Sequence, residues 1–96
     1  MNDICVFFGE GYEEIEALTA VDILRRAALP VKMVSITQER EVTGSHQITV
    51  KMDAVLSEVN FDQVEMIVLP GGMPGTKNLE ACEALMEQVD SFVKAD

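Results

Sequence analysis

The stretch "ICVFFGEGYEEIEALTAVDILRRA", Ile4 to Ala27, carries the reading on which the fold turns. Its first residues are apolar without alternation, as in a parallel strand covered on both faces. Gly9 and Gly11 then supply a turn, and a helix is predicted from about Tyr12 to Ala28. At about 100° per residue, Ala17, Ala20, Val21, Leu24, Ala27 and Ala28 fall on one apolar stripe. Asp22, Arg25 and Arg26 point away from it. Ile15 lies nearly opposite the stripe, beside Asp22 and Arg26, on a face that a monomer gives to water. Ile23 is borderline. Glu16 lies on the shoulder, about 80° from the stripe's centre, where a carboxyl group leans under the carboxyl edge of the sheet.

Outward from this unit the alternation continues. "VKMVSI", Val31 to Ile36, is a second strand entered through Pro30. "EVTGSHQITVKMD", Glu41 to Asp53, predicts two short strands around Gly44. "MIVL", Met66 to Leu69, predicts a third buried strand that runs into "PGGMPG", and a last helix is expected from Glu80 to about Lys94. Strands alternating with helices in 96 residues mean one small α/β domain with a parallel sheet. A three-strand core of this kind leaves an open sheet edge.

Charge narrows the function classes. Seventeen acidic residues against seven basic ones give a net charge of -10. Nucleic acid and anionic membrane surfaces both demand basic patches, so neither is an expected partner. The apolar run Ile4–Phe8 is too short for a membrane span or a signal core. Two cysteines, Cys5 and Cys82, both in apolar segments, do not make a disulfide framework, and a reducing, cytoplasmic setting is the simplest expectation. One histidine and two distant cysteines predict no metal ligand set, and no cofactor is implied.

Three glutamates crowd the start of the first helix. Gly9-Glu10-Gly11 has the form of half a dinucleotide fingerprint, but Glu14 stands at the third glycine position. Acids there would repel a pyrophosphate from the helix N-terminus. The helix dipole accounts for Glu13 and Glu14. Glu16, at the edge of the core, is the candidate functional carboxyl, because a half-buried acid needs a partner. The second candidate element is "MIVLPGGMPGTKNL". Ligands of open α/β sheets bind at the carboxyl ends of the strands. Gly71 and Gly72 let backbone amides approach a ligand and stabilise an oxyanion; the plainer alternative is a tight turn that needs positive φ. Gly75-Thr76-Lys77-Asn78 is not a P-loop, since it lacks consecutive Gly-Lys-Ser/Thr.

"EGYEEIEALTAVDILRRA" together with "DQVEMIVLPGGMPGTKNL" resembles the ThiJ/PfpI superfamily, in the branch of the Parkinson-associated deglycase and its bacterial homologues. The resemblance covers the whole chain. It implies a flavodoxin-like three-layer sandwich with a mainly parallel sheet, and a homodimer. Family domains are about twice this length, so the chain corresponds to the N-terminal half, residues 1–96, with the C-terminal half as its partner. The family's cysteine nucleophile and its histidine would lie in that other half. Neither Cys5 nor Cys82 matches the nucleophile. Cys5 is in a strand, and Cys82 falls on the helical stripe Leu79, Cys82, Leu85, Met86, Val89, so both read as buried thiols. His46, in the hairpin, reads as a surface or interface residue.

By the same resemblance, Glu16 matches the glutamate that hydrogen-bonds the cysteine sulfur, and Gly71 and Gly72 match the backbone flanking it. The implied activity is that of a cysteine-dependent glyoxalase or deglycase acting on small reactive carbonyls or glycated proteins. The alternatives within the family are a redox-responsive chaperone or stress protein, or a protein related to thiazole (thiamine) biosynthesis. Ile15, rimmed by Asp22, Arg25 and Arg26, is the expected centre of the dimer interface, since a twofold axis brings the same patch against itself.

Overall fold

A computed structural model describes residues 3–70 and Met86. Strand β1 (Asp3–Phe8) sets the layering, because every residue from Ile4 on is buried. Its side chains alternate between two cores. Ile4, Val6 and Phe8 join Tyr12, Ala17, Val21, Val31, Val42 and Met52 on one face. Cys5 and Phe7 join Val34 and Val64 on the other, with Phe61 and Met86 packed against them. Phe7 stacks on Phe61 with ring centroids 6.0 Å apart. Full burial of each β1 phenylalanine contributes about 1.5–3 kcal/mol. The uninterrupted apolar run therefore has the two-sided burial that its pattern implied.

Helix α1 (Glu14–Arg26) follows and lies on the first face. β2 (Val31–Ser35) pairs with β1 in parallel, Ile4 opposite Val31 and Phe8 opposite Ser35. A two-stranded antiparallel hairpin, β3 (Glu41–Thr43) and β4 (Thr49–Lys51), stands apart from the main sheet. β5 (Ala54–Val55) adds to the outer edge of β2, and β6 (Val64–Val68) pairs with the other side of β1. The main sheet thus runs β5-β2-β1-β6, all parallel. Among the described residues its core has four strands, not three. β5 escapes a pattern reading because two residues show no periodicity.

Other expectations need correction. β6 starts at Val64 and ends at Val68, and it is not wholly buried: Met66 is exposed, as is Leu69 just beyond its end. Ala27 and Ala28 leave the stripe and end the helix. Ala28 adopts φ 62. Its N–H donates to the Arg25 carbonyl at 2.9 Å, and the Leu29 N–H donates to that of Leu24 at 3.2 Å. This is a Schellman stop in which alanine takes the place glycine prefers. The expected helix over 80–94 lies outside the described residues except for Met86, which is helical and packs on the second core.

Candidate functional site

Parallel pairing puts the carboxyl ends of β1 and β6 side by side, with Val6 opposite Val68. The chain leaves β1 through Gly9-Glu10-Gly11, where Gly11 takes φ 82, a conformation open to glycine. It then enters α1 through Glu13, whose carboxylate caps the helix by accepting from the Ile15 N–H at 3.0 Å.

Glu14, expected only to favour the dipole, is buried to 3% exposure. Its carboxylate reaches across to the β3–β4 turn. Oε2 accepts from the backbone N–H of His46 at 2.8 Å and of Ile48 at 3.3 Å. Oε1 meets His46 Nδ1 at 2.9 Å and the Ser45 hydroxyl at 3.4 Å. Gly44 is a glycine for a direct reason: a Cβ there would overlap the Glu14 carboxyl group. Burial raises the acid's pKa, but the hydrogen bonds from His46, the helix backbone and Ile48 outweigh it and hold Glu14 at about 2. The same hydrogen bond, with the charges of Glu13 and Glu14, raises His46 above the usual imidazole range.

The turn is tied to the β1–α1 loop as well. Gly11 N–H donates to the Thr43 carbonyl at 2.9 Å, and Ser45 N–H donates to that of Tyr12 at 2.8 Å. The Glu10 carboxylate accepts from the Thr43 N–H at 3.3 Å. Tyr12 is buried edge-on against Phe8, with ring centroids 4.7 Å apart. Its hydroxyl has no hydrogen-bond partner among the described residues. Burial, then the Glu14 and Glu10 charges, push its pKa up.

Glu16 is not the half-buried acid that its shoulder position suggests. It is exposed on the first turn of α1, with no polar partner among the described residues. Gly71, Gly72 and Cys82 lie outside the described residues. Cys5 is buried, and burial, followed by the Asp3 charge, raises its thiol pKa against the opposing pull of Lys32. It is an inert core thiol, as its strand position implied. On the outer face of α1, Ile15 is 74% exposed. Asp22 and Arg26 pair beside it at 3.1 Å. Arg25 departs from the expected rim: it turns to Asp53 at 2.7 Å and to the Val31 carbonyl at 3.3 Å, bracing the helix end on the domain's own body.

Sequence reasoning missed the grouping of Glu13, Glu14 and His46, whose donor atoms lie within 4.8 Å of one another. The only signal was the Gly44-Ser45-His46 turn, and nothing local links it to a glutamate some thirty residues earlier. The set suits a proton better than a metal cation. Both Glu14 oxygens already accept from two donors each, and the positive end of the helix dipole opposes added positive charge. No described helix is long and apolar enough to cross a membrane.

Residues 2–96 match the profile of the DJ-1/PfpI family. Protein DJ-1 homolog A of Arabidopsis thaliana is 37% identical over 93 residues, which are 97% of this chain and 24% of that protein. A deglycase of Thermococcus kodakarensis is 29% identical over 69 residues, 72% of this chain and 41% of that one. The structure of oxidised DJ-1 from Toxoplasma gondii superposes with a TM-score of 0.89 at 32% identity, covering 95% of this chain and 50% of that one. The chain therefore spans half the length of that solved relative and less than half of the two curated ones.

Proposed function

Because the chain belongs to the DJ-1/PfpI family, we propose that the intact protein is a cysteine-dependent glyoxalase or deglycase acting on small reactive carbonyls or glycated groups. The observation that carries this reading is the adjacency of β1 and β6 at their carboxyl ends. Glu16 follows the end of β1 by eight residues, on the first turn of α1, and β6 ends at Val68, three residues before Gly71 in sequence. Ligands of parallel α/β sheets bind at that edge. A relative named as a deglycase adds support.

In this reading residues 1–96 are the N-terminal half of a single domain, and the nucleophile comes from the other half. The Glu16 carboxyl group hydrogen-bonds the cysteine sulfur and favours the thiolate. Its exposed carboxyl, free of described partners, is available for that role. The thiolate adds to the aldehyde carbon of a glyoxal to give a hemithioacetal, with the oxyanion held by the backbone amides of Gly71 and Gly72. The hemithioacetal carbon passes its proton to the adjacent ketone carbon while the hydroxyl proton passes to the ketone oxygen, giving a 2-hydroxy thioester, and water releases the thiol and a lactate-type acid.

Thiolate absorbance in the intact protein tests Glu16. Glu16→Gln keeps a donor and should move the thiol little. Glu16→Leu removes it and should raise the thiol pKa by about 1 or more, the scale of one hydrogen bond to a charged group. Equal values in wild type and both variants would sink the assignment.

A further inference from the structure

We propose that the Glu14–His46 pair is a pH-sensitive latch, which holds the β3–β4 hairpin down on the β1–α1 loop and loosens it when His46 loses its charge. Glu14 is a buried acid whose partners come almost wholly from one turn: two backbone amides, one hydroxyl and one imidazole. The imidazole is the titrating member and the accessible one, since its side chain is 61% exposed while that of Glu14 is 4% exposed. A proton can therefore leave for solvent without the hairpin first opening.

The groups around the imidazole share one sign. From α1 it faces Glu14 at 2.9 Å and Glu13 at 3.9 Å. From its own turn it meets the Ser45 hydroxyl at 3.2 Å. The β1–α1 loop adds Glu10, bound at Thr43, and Tyr12, whose carbonyl accepts from Ser45. Every ion pair of His46 among the described residues is with an acid. With the imidazolium in place, one positive charge offsets the carboxylates under the turn. Deprotonation at Nε2 leaves the Nδ1–H bond to Glu14 and removes that charge. The turn is then held by hydrogen bonds from uncharged donors to the Glu14 carboxylate, with no cation left to offset the acids.

The direction of the effect follows from the shifts. A histidine raised in the folded state adds stability that is complete below the ordinary imidazole range and is lost as pH rises through its folded value. Glu14 sets the acid limit, since its contribution is complete above the ordinary carboxylate range and is lost progressively as pH falls from there to about 2. The hairpin is thus held most firmly in mildly acidic solution and released on the alkaline side.

The test uses the intact protein and needs no assumption about its activity. Hydrogen exchange at the Ile48 amide, corrected for intrinsic rates, is followed from about pH 5 to about pH 8, where an imidazole changes charge. Protection should fall about two- to fivefold in wild type, the size of a part-exposed ion pair. In His46→Gln, which keeps a donor but cannot titrate, it should stay flat. The amide of Val6 in β1 should not change in either protein. Two results would overturn the latch: the same pH profile at Ile48 in wild type and His46→Gln, or a wild-type imidazole NMR midpoint at or below that of free histidine.

Discussion

A single alanine shows how local strain can hide in a well-patterned helix. Ala28 sits at φ 62, the left-handed region, to close the Schellman stop of α1. An L side chain there costs about 1–2 kcal/mol, which glycine does not incur. Ala28→Gly should therefore stabilise the intact protein by about 1 kcal/mol, after glycine's greater freedom in the unfolded chain is subtracted. The measurement is the urea midpoint, and an unchanged or lower midpoint would show that the strain is relieved elsewhere. The apolar count alone put Ala28 on the buried stripe. Periodicity reports which face a residue occupies inside a helix and says nothing about where the helix must stop. Glu14 was opaque for a different reason. Its partners Ser45, His46 and Ile48 arrive by tertiary folding, and a carboxylate at a helix start looks the same whether solvent or a distant turn receives it.

Elements with long, one-sided or two-sided patterns were legible: β1, α1, β2 and the hairpin all occur where the sequence indicates them. The faces of α1 were legible too, because Ala17 and Val21 enter the core while Ile15 stays outside; Ile23, borderline by pattern, is exposed as well. The face bearing Ile15 is the one we propose pairs with a second copy. Ile48, whose N–H binds Glu14, is 51% exposed, so large aliphatic side chains stand on both elements that meet at that acid. Asp22 and Arg26 form a charged rim on the helix, while Arg25, tied to Asp53, is withdrawn from it. Ile15→Lys would place two like charges near a twofold axis, where burial leaves them costly. On this proposal the intact wild type should sediment as a dimer and the variant as a monomer at the same concentration. An unchanged dimer would move the interface to another surface.

On the scale of the whole molecule, the sheet bears on where the chemistry of the proposed function would sit. Among the described residues β6 is an edge strand, with Met66 and Leu69 exposed beside it. The solved relative from Toxoplasma gondii is twice as long, and this chain covers 50% of it. We propose that the nucleophile belongs to the portion of the domain that this chain does not span. Thiolate chemistry needs an accessible sulfur with a lowered pKa. Cys5 offers the reverse: it is 1% exposed, and burial raises its pKa. Its neighbour Lys32 cannot compensate, because that ammonium is already paired with Asp3 at 3.0 Å. Cys82 lies outside the described residues, on a sequence stripe that reads as a core face. On the proposed function, the isolated 96-residue chain should remove methylglyoxal no faster than buffer does, and the intact protein should turn it over. Activity of the isolated chain that disappears in Cys82→Ser would make that thiol the nucleophile and would overturn its place in the core. Loss in Cys5→Ser instead would mean that β1 opens far enough to expose a thiol from the centre of the sheet.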